Sequence, residues 1–269
     1  MTGTRYDLII VGGGLVGGSL ACALGAAGLR VALVEAVPPT IRAEPSYDER
    51  VIALSWGSRH ILAGIGLWED LAGDAEPIQR IHVSERGHFG LAHLDCAEEG
   101  VPALGYVAPA RLIGQAIQAR LGAVEIFCPA RLVGFHLGVE RVDIEVASGN
   151  ASRLLSASLL VAADGGDSAI RKRLGFQVLE RSYGHDAIIT TLTADRPQPG
   201  VAFERFTDTG PLAMLPMTAG RYSLVWTARE EETAGILALD DRAFLARLQA
   251  RFGYRLGTLS RPGRRLAWP

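Results

Sequence analysis

The chain has 269 residues, enough for one large or two ordinary domains, and its formal charge of −2 provides no overall basic field of the kind that draws nucleic acid. Its basic residues include a single lysine, Lys172 in SAIRKRLG, which excludes a P-loop, because that loop needs a lysine directly after its last glycine. Three scattered cysteines, Cys22, Cys96 and Cys128, exclude a disulfide framework and a zinc knuckle and point to a reducing compartment.

Leu8 to Leu29 carries no charge, a length that as a helix spans roughly 30 Å, enough for a bilayer core. The internal pattern points elsewhere. YDLIIV reads as a buried parallel strand, RVALVE as a second, and the glycine-rich stretch between them as a turn opening a helix of small residues. That is a βαβ unit. Gly12 allows a tight exit from the first strand, Gly14 lets backbone approach a pyrophosphate, and Gly17 lets the helix pack close to the strand. The amides at the helix start, at Leu15 and Val16, face the phosphates with the partial positive charge of the helix end. Glu35 ends the second strand, placed to accept hydrogen bonds from a ribose. At this point the ligand is NAD or FAD.

SWGSRHILAGIGLWEDLAG reads as helical, and RIHVSE and GLAHLDC as a short alternating strand pair. His82, His88, His93 and Cys96 fall on that pair at spacings that match no standard metal site, so no metal is expected. GYVAPARLIGQAI reads as a strand feeding a helix, and VEIFC and RVDIEVAS as strands. LLVAADGGDSAIRKRLG reads as a strand, an Asp164-Gly165 turn and a helix from about Ser168. Residues 183–228 alternate with period two, as an antiparallel sheet does, and DDRAFLARLQARFG is an amphipathic helix with Phe244, Leu245 and Leu248 inward. The expected fold class is α/β, a Rossmann-like nucleotide-binding domain with an inserted antiparallel-sheet domain.

Asp164, Gly165, Ser168 and Arg171 spell D-G-x-x-S-x-x-R downstream of the glycine fingerprint. Together they resemble the flavoprotein aromatic hydroxylases. IHVSERGHFG, ALGYV, FERFTDTGPLAMLPM and YSLVW are similar to the ubiquinone-biosynthesis branch, the 2-polyprenyl-6-methoxyphenol hydroxylases. The resemblance implies FAD as cofactor, NAD(P)H as reductant, O2 as co-substrate and a polyprenylated phenol as substrate. It implies that Arg50, after Asp48, lies beside the flavin and that Arg111, opening a helix, contacts the cofactor. It places the FAD-binding domain at 1–180, with a β excursion at about 78–105, and the substrate sheet at 181–269, roofing the flavin. Phe203, Met214, Pro216 and Trp226 are then candidates for an apolar substrate wall, although each position also suits an ordinary core. Other ubiquinone-biosynthesis proteins are implied as partners, and a cytoplasmic location with peripheral contact at the inner membrane. A third motif, a Gly-Asp turn beside the flavin ribityl chain, belongs to the family, and RPGRRLAWP stops short of it. The alternatives are a non-catalytic flavin- or lipid-binding remnant in a biosynthetic complex and an NAD-dependent dehydrogenase using the first site alone.

Overall fold

The computed structural model describes residues 5–38 and 50–269. It opens with β1 (Arg5–Val11), α1 (Leu15–Ala26) and β2 (Val31–Val34), and continues with β3 (Val51–Ser55) and α2 (Trp56–Gly64). Three strands follow, β4 (Glu76–Ile78), β5 (Arg80–Glu85) and β6 (Leu91–Asp95), then β7 (Gly105–Pro109), α3 (Ala110–Arg120) and β8 (Glu125–Phe127). Next come β9 (Arg131–Leu137), β10 (Val142–Ser148), β11 (Ala151–Ala162) and the short α4 (Ala169–Arg173). The chain closes with β12 (His185–Ala194), β13 (Val201–Thr207), β14 (Gly210–Met217), β15 (Arg221–Arg229), α5 (Glu230–Leu237), α6 (Asp241–Phe252), β16 (Leu259–Ser260) and β17 (Leu266–Trp268). Among the described residues no helix is long and apolar enough to cross a membrane. The charge-free run is split into a strand, a turn and a 12-residue helix.

Two compact units result. The first comprises residues 5–38, 63–70 and 111–179 of the described chain. Its six-stranded sheet runs β8-β2-β1-β11-β10-β9. The four strands from β8 to β11 are parallel, and β10 and β9 continue the sheet antiparallel. In register, Val11 of β1 faces Val34 of β2 and Ala162 of β11. The carboxyl ends of three parallel strands therefore finish level, and the residues that follow each strand are brought to one edge. In α/β sheets this edge is where ligands bind. The core beneath is built from Ile9, Val34, Ile144, Ala157 and Ile170, all buried. On α1, Gly18 faces Ile117 of α3 so closely that a Cβ there would lie 2.7 Å from its methyl group.

The second unit comprises residues 50–62, 71–110 and 180–269 of the described chain. Its large sheet runs β16-β12-β15-β14-β13-β5-β6, with β17 also paired to β12. All pairings are antiparallel except β5 with β13, which is parallel. The excursion at 78–105, expected within the first domain, thus belongs to the second unit. The reason is the backbone ladder of β5 with β13, which gathers that hairpin into the sheet. One face of the sheet is covered by α5 and α6, with Leu212, Met214, Leu224, Trp226, Phe244 and Phe252 buried between. Trp226 and Phe244 meet at 5.8 Å between ring centroids, and Phe203 meets Phe252 edge-on at 5.7 Å, separations at which aromatic pairs are attractive. A small sheet, β3-β7-β4, packs Ile78 and Val107 against Ala202 and Met217 on the other side.

Candidate functional site

The level edge of the parallel strands carries the candidate site. Three segments meet there: the turn after β1, the residue after β2 and the turn after β11. They line a cavity of about 460 Å³ that includes Gly12, Gly14, Glu35, Asp164 and Gly165.

Gly12 has φ +103°, and a Cβ there would lie 2.2 Å from the Ala163 carbonyl oxygen. Glycine is required at this point because two strand exits run against each other. Gly17 packs equally close, with Gly12 O at 1.9 Å from its hypothetical Cβ. Gly14 is different. A Cβ there would meet nothing within 4 Å, so its free side faces open space in the cavity wall. Gly14 is also the N-cap of α1, and no side chain caps that end. The first amides of a helix have no partner within it, so Leu15 and Val16 begin a helix whose positive end is left for an outside acceptor. This is the chemistry a phosphate requires.

Glu35 holds the turn from below. Its Oε2 accepts the Gly13 amide at 2.5 Å and its Oε1 accepts the Val37 amide at 2.7 Å. A carboxylate has about four lone-pair sites, so each oxygen keeps capacity for a hydroxyl.

Asp164 organises the other wall. Its Oδ1 accepts the Ser168 hydroxyl at 2.5 Å and its Oδ2 the Ala169 amide at 2.8 Å. The Ser168 hydroxyl in turn accepts the Arg171 amide at 3.0 Å and caps α4. Burial raises the carboxyl pKa, but the Ser168 hydroxyl and the Ile170, Asp164 and Ala169 amides outweigh it and hold Asp164 below the usual carboxylate range. Arg171 bonds through Nη2 to the Gly166 carbonyl at 2.6 Å, and Lys172 pairs with Asp167. Every polar position of the D-G-x-x-S-x-x-R stretch is therefore tied into the turn it builds.

The other predicted residues are not among those that line this cavity. Arg111, at the start of α3 in the first unit, bonds to Gln115 Oε1 at 3.0 Å. Arg50 belongs to the second unit. It is exposed, its guanidinium sits 5.5 Å from the centroid of the Trp268 ring, and its carbonyl accepts the Ala110 amide. Asp48 lies outside the described residues. Sequence reasoning missed Arg131 and Leu132, which line the cavity from the start of β9. Their signal is positional only, since they follow β8, which pairs beside β2.

In the second unit, Phe203, Met214 and Trp226 face α5 and α6 and are buried in that core, and Pro216 shares their face. The alternation places Val83, Glu204, Ala213 and Val225 on the opposite face, in one row across four strands. Glu204 is half-buried there, and burial alone pushes its carboxyl pKa up. His82 and His93 bond ring to ring at 2.7 Å, and His88 lies beside Glu85.

Residues 5–265 match the FAD binding domain family. The chain belongs to that family. It is 38% identical over 265 residues to "Ubiquinone hydroxylase UbiL" of Rhodospirillum rubrum, covering 97% of this chain and 61% of that protein. It is 30% identical over 264 residues to the 3-demethoxyubiquinol 3-hydroxylase of Escherichia coli, covering 96% of this chain and 66% of that enzyme. The chain thus spans somewhat under two thirds of the length of these relatives. Among solved structures it is similar to PqsL, a probable FAD-dependent monooxygenase from Pseudomonas aeruginosa, with TM-score 0.80 and 21% identity over 99% of this chain and 73% of that one. The fold is therefore that of FAD-dependent monooxygenases, and the cofactor of this family is FAD. The cavity fits such a group. Gly14 leaves room for a diphosphate, the bare end of α1 faces it, and Glu35 keeps acceptor capacity for a ribose.

Proposed function

We propose that this chain holds FAD at the edge of its parallel sheet and forms the flavin-binding part of a monooxygenase that hydroxylates a polyprenylated phenol in ubiquinone biosynthesis, with NAD(P)H as reductant and O2 as co-substrate. The observation that carries this reading is the convergence of Gly14, Glu35 and Asp164 on one cavity from three strand ends. Within it, Gly12, Gly14, Leu15, Val16 and Gly17 form the phosphate turn, Glu35 takes the ribose, and Asp164 and Gly165 shape the second wall. Arg50 and Arg111 are proposed cofactor contacts at the flavin end. When bound, FAD supplies the redox and oxygen-activating chemistry, so the residues of this chain need only bind, orient and exclude water.

The relatives named as ubiquinone hydroxylases support the substrate class. The substrate wall is best supplied by the sheet face of Val83, Ala213 and Val225, because Phe203, Met214 and Trp226 are already packed against helices. A polyprenyl substrate partitions into lipid, so peripheral membrane contact belongs to the same proposal.

The test is the visible absorption spectrum of the chain after gel filtration with added FAD. Flavin absorbance co-eluting near one per chain supports the reading, and NAD(P)H oxidation with a phenol present extends it. A folded, colourless protein overturns it for this polypeptide. Nicotinamide nucleotide retained in place of flavin supports a dehydrogenase.

A further inference from the structure

The face of the large sheet opposite α5 and α6 is covered over only part of its length. At one end Ala202 and Met217 pack against Ile78 and Val107 of the small sheet. Beyond them, two rows cross the strands. In the first, Glu204 faces Ala213, Ala213 faces Val225, Val225 faces Ile189 and Ile189 faces Leu266. In the second, Phe206 faces Pro211, and Ala187 faces both Thr227 and Trp268. The rows are two residues apart along each strand, so both lie on one face. Phe206, Leu266 and Trp268 are exposed there. Ala187, Pro211, Thr227 and Trp268 of the second row, with Tyr183 and His185, line a cavity of about 380 Å³. Glu204 stands diagonal to Pro211 across the β13–β14 ladder. Such neighbours are about 7–8 Å apart, within reach of a long side chain.

Glu204 is the one ionisable side chain of the first row, and it has no hydrogen-bond or ion-pair partner among the described residues. The other charged groups of this face are engaged elsewhere. Glu85 lies beside His88, Arg229 beside Glu231, and His185 bonds to the Tyr183 carbonyl. The Arg50 guanidinium sits 5.5 Å from the centroid of the Trp268 ring. A half-buried carboxylate flanked by Val83 and Ala213 opposes folding unless something outside the chain completes it. A metal ion or an ammonium group would need further polar donors around it, and the neighbours of Glu204 in its row are apolar. An apolar ring carrying one hydroxyl matches the surface: the ring suits the aromatic and aliphatic cavity, and the hydroxyl suits the carboxylate.

We infer that the Glu204 carboxylate accepts the hydroxyl hydrogen of a phenol whose ring occupies the cavity of Pro211, Thr227 and Trp268. The hydrogen bond fixes which edge of the ring points at the sheet, and a charged acceptor on the hydroxyl raises the electron density of the ring. Glu204 is then the residue that selects a hydroxylated ring over a plain one, because leaving it unpaired against an apolar ring is costly. The inference rests on the proposed function for the identity of its ligand, and its test needs neither flavin nor turnover.

The experiment is equilibrium binding of 4-nitrophenol to the full chain over a range of pH, with and without FAD, read from the visible absorbance of the ionised probe. A carboxylate at the hydroxyl bonds to the neutral phenol and repels the phenolate, so the bound probe is expected to ionise at a higher pH than the free one. Glu204→Gln should abolish that shift and weaken binding of the neutral probe by about ten-fold or more. A change confined to folding would not move the ionisation of the probe. Thr227→Phe fills the cavity and should weaken binding with Glu204 still in place. The inference is overturned if the wild-type chain does not bind the probe, if Glu204→Gln leaves both affinity and shift as in wild type, or if Thr227→Phe binds as tightly as wild type. Flavin retained with probe binding independent of Glu204 removes this inference and leaves the proposed function standing. Glu204-dependent binding by a chain that retains no flavin faults the proposed function and leaves the phenol site.

Discussion

Glu35 and Gly13 are joined across the candidate site: the Glu35 carboxylate accepts the Gly13 amide at 2.5 Å, tying the end of β2 to the middle of the glycine turn after β1. One side chain therefore shapes the turn after β1 and, in the proposed reading, also offers acceptors for a ribose.

Glu35→Gln keeps the size of the side chain and removes the charge. Hydrogen bonds to a charged group contribute about 1.5–3 kcal/mol, so FAD affinity should fall by about ten-fold or more. Titration of flavin fluorescence checks this. Unchanged affinity would remove Glu35 from the site.

Gly12 and Gly14 should respond oppositely to one added methyl group. Gly12→Ala places a Cβ against the Ala163 carbonyl at φ +103° and should lower stability by about 1–3 kcal/mol or more. Gly14→Ala meets open space and should change stability by less than about 1 kcal/mol, the scale of an N-cap change, while blocking FAD. Thermal melts and flavin titration of both variants separate strain from ligand clearance.

Asp164 has a lowered pKa in the folded chain. The stabilisation linked to its ionisation is therefore present above the unfolded value of about 3.9 and is lost as pH falls through the folded value. Asp164→Asn should cost about 1 kcal/mol at pH 7, reduced by solvent screening, and should cost less in acid. Urea unfolding at neutral and acid pH measures the difference.

Glu204 has the opposite sign. Its folded pKa is raised, so its contribution is fully present below the unfolded value of about 4.3 and is lost as pH rises through the folded value. Glu204→Gln should be more stable than wild type at pH 8 and nearly equal to it in acid. A wild-type advantage at pH 8 would show that Glu204 has a cationic partner.

The glycine and Asp164 turns of the candidate site were legible because their constraints are local. Gly12 meets Ala163 and Gly17 meets Gly12 backbone, so no other residue type fits and the spacing survives in the sequence. Asp164 and Ser168 are four positions apart and bond directly, which makes their turn equally visible. The second unit was less legible. Period-two alternation shows that Phe203, Met214 and Trp226 share a face, but it cannot say whether helices or a ligand cover that face. The α5 and α6 helices that cover it come later in the chain. Likewise nothing local to RIHVSE reveals a partner as distant as β13.

That pairing also constrains how the chain is made. Ser84 and Arg205 touch although 121 residues separate them. A ribosome delivers the β5–β6 hairpin long before β13 exists, so the hairpin must wait with one edge unpaired while the rest of the parallel sheet is synthesised. Closing so long a loop is entropically costly and slow, and an open edge is an invitation to aggregate. The nucleotide-binding sheet can complete its strands by residue 162, well ahead of its neighbour. The vulnerable interval in this protein's biogenesis is therefore the synthesis of residues 96 to 207, and a chaperone that shields an edge strand would act there.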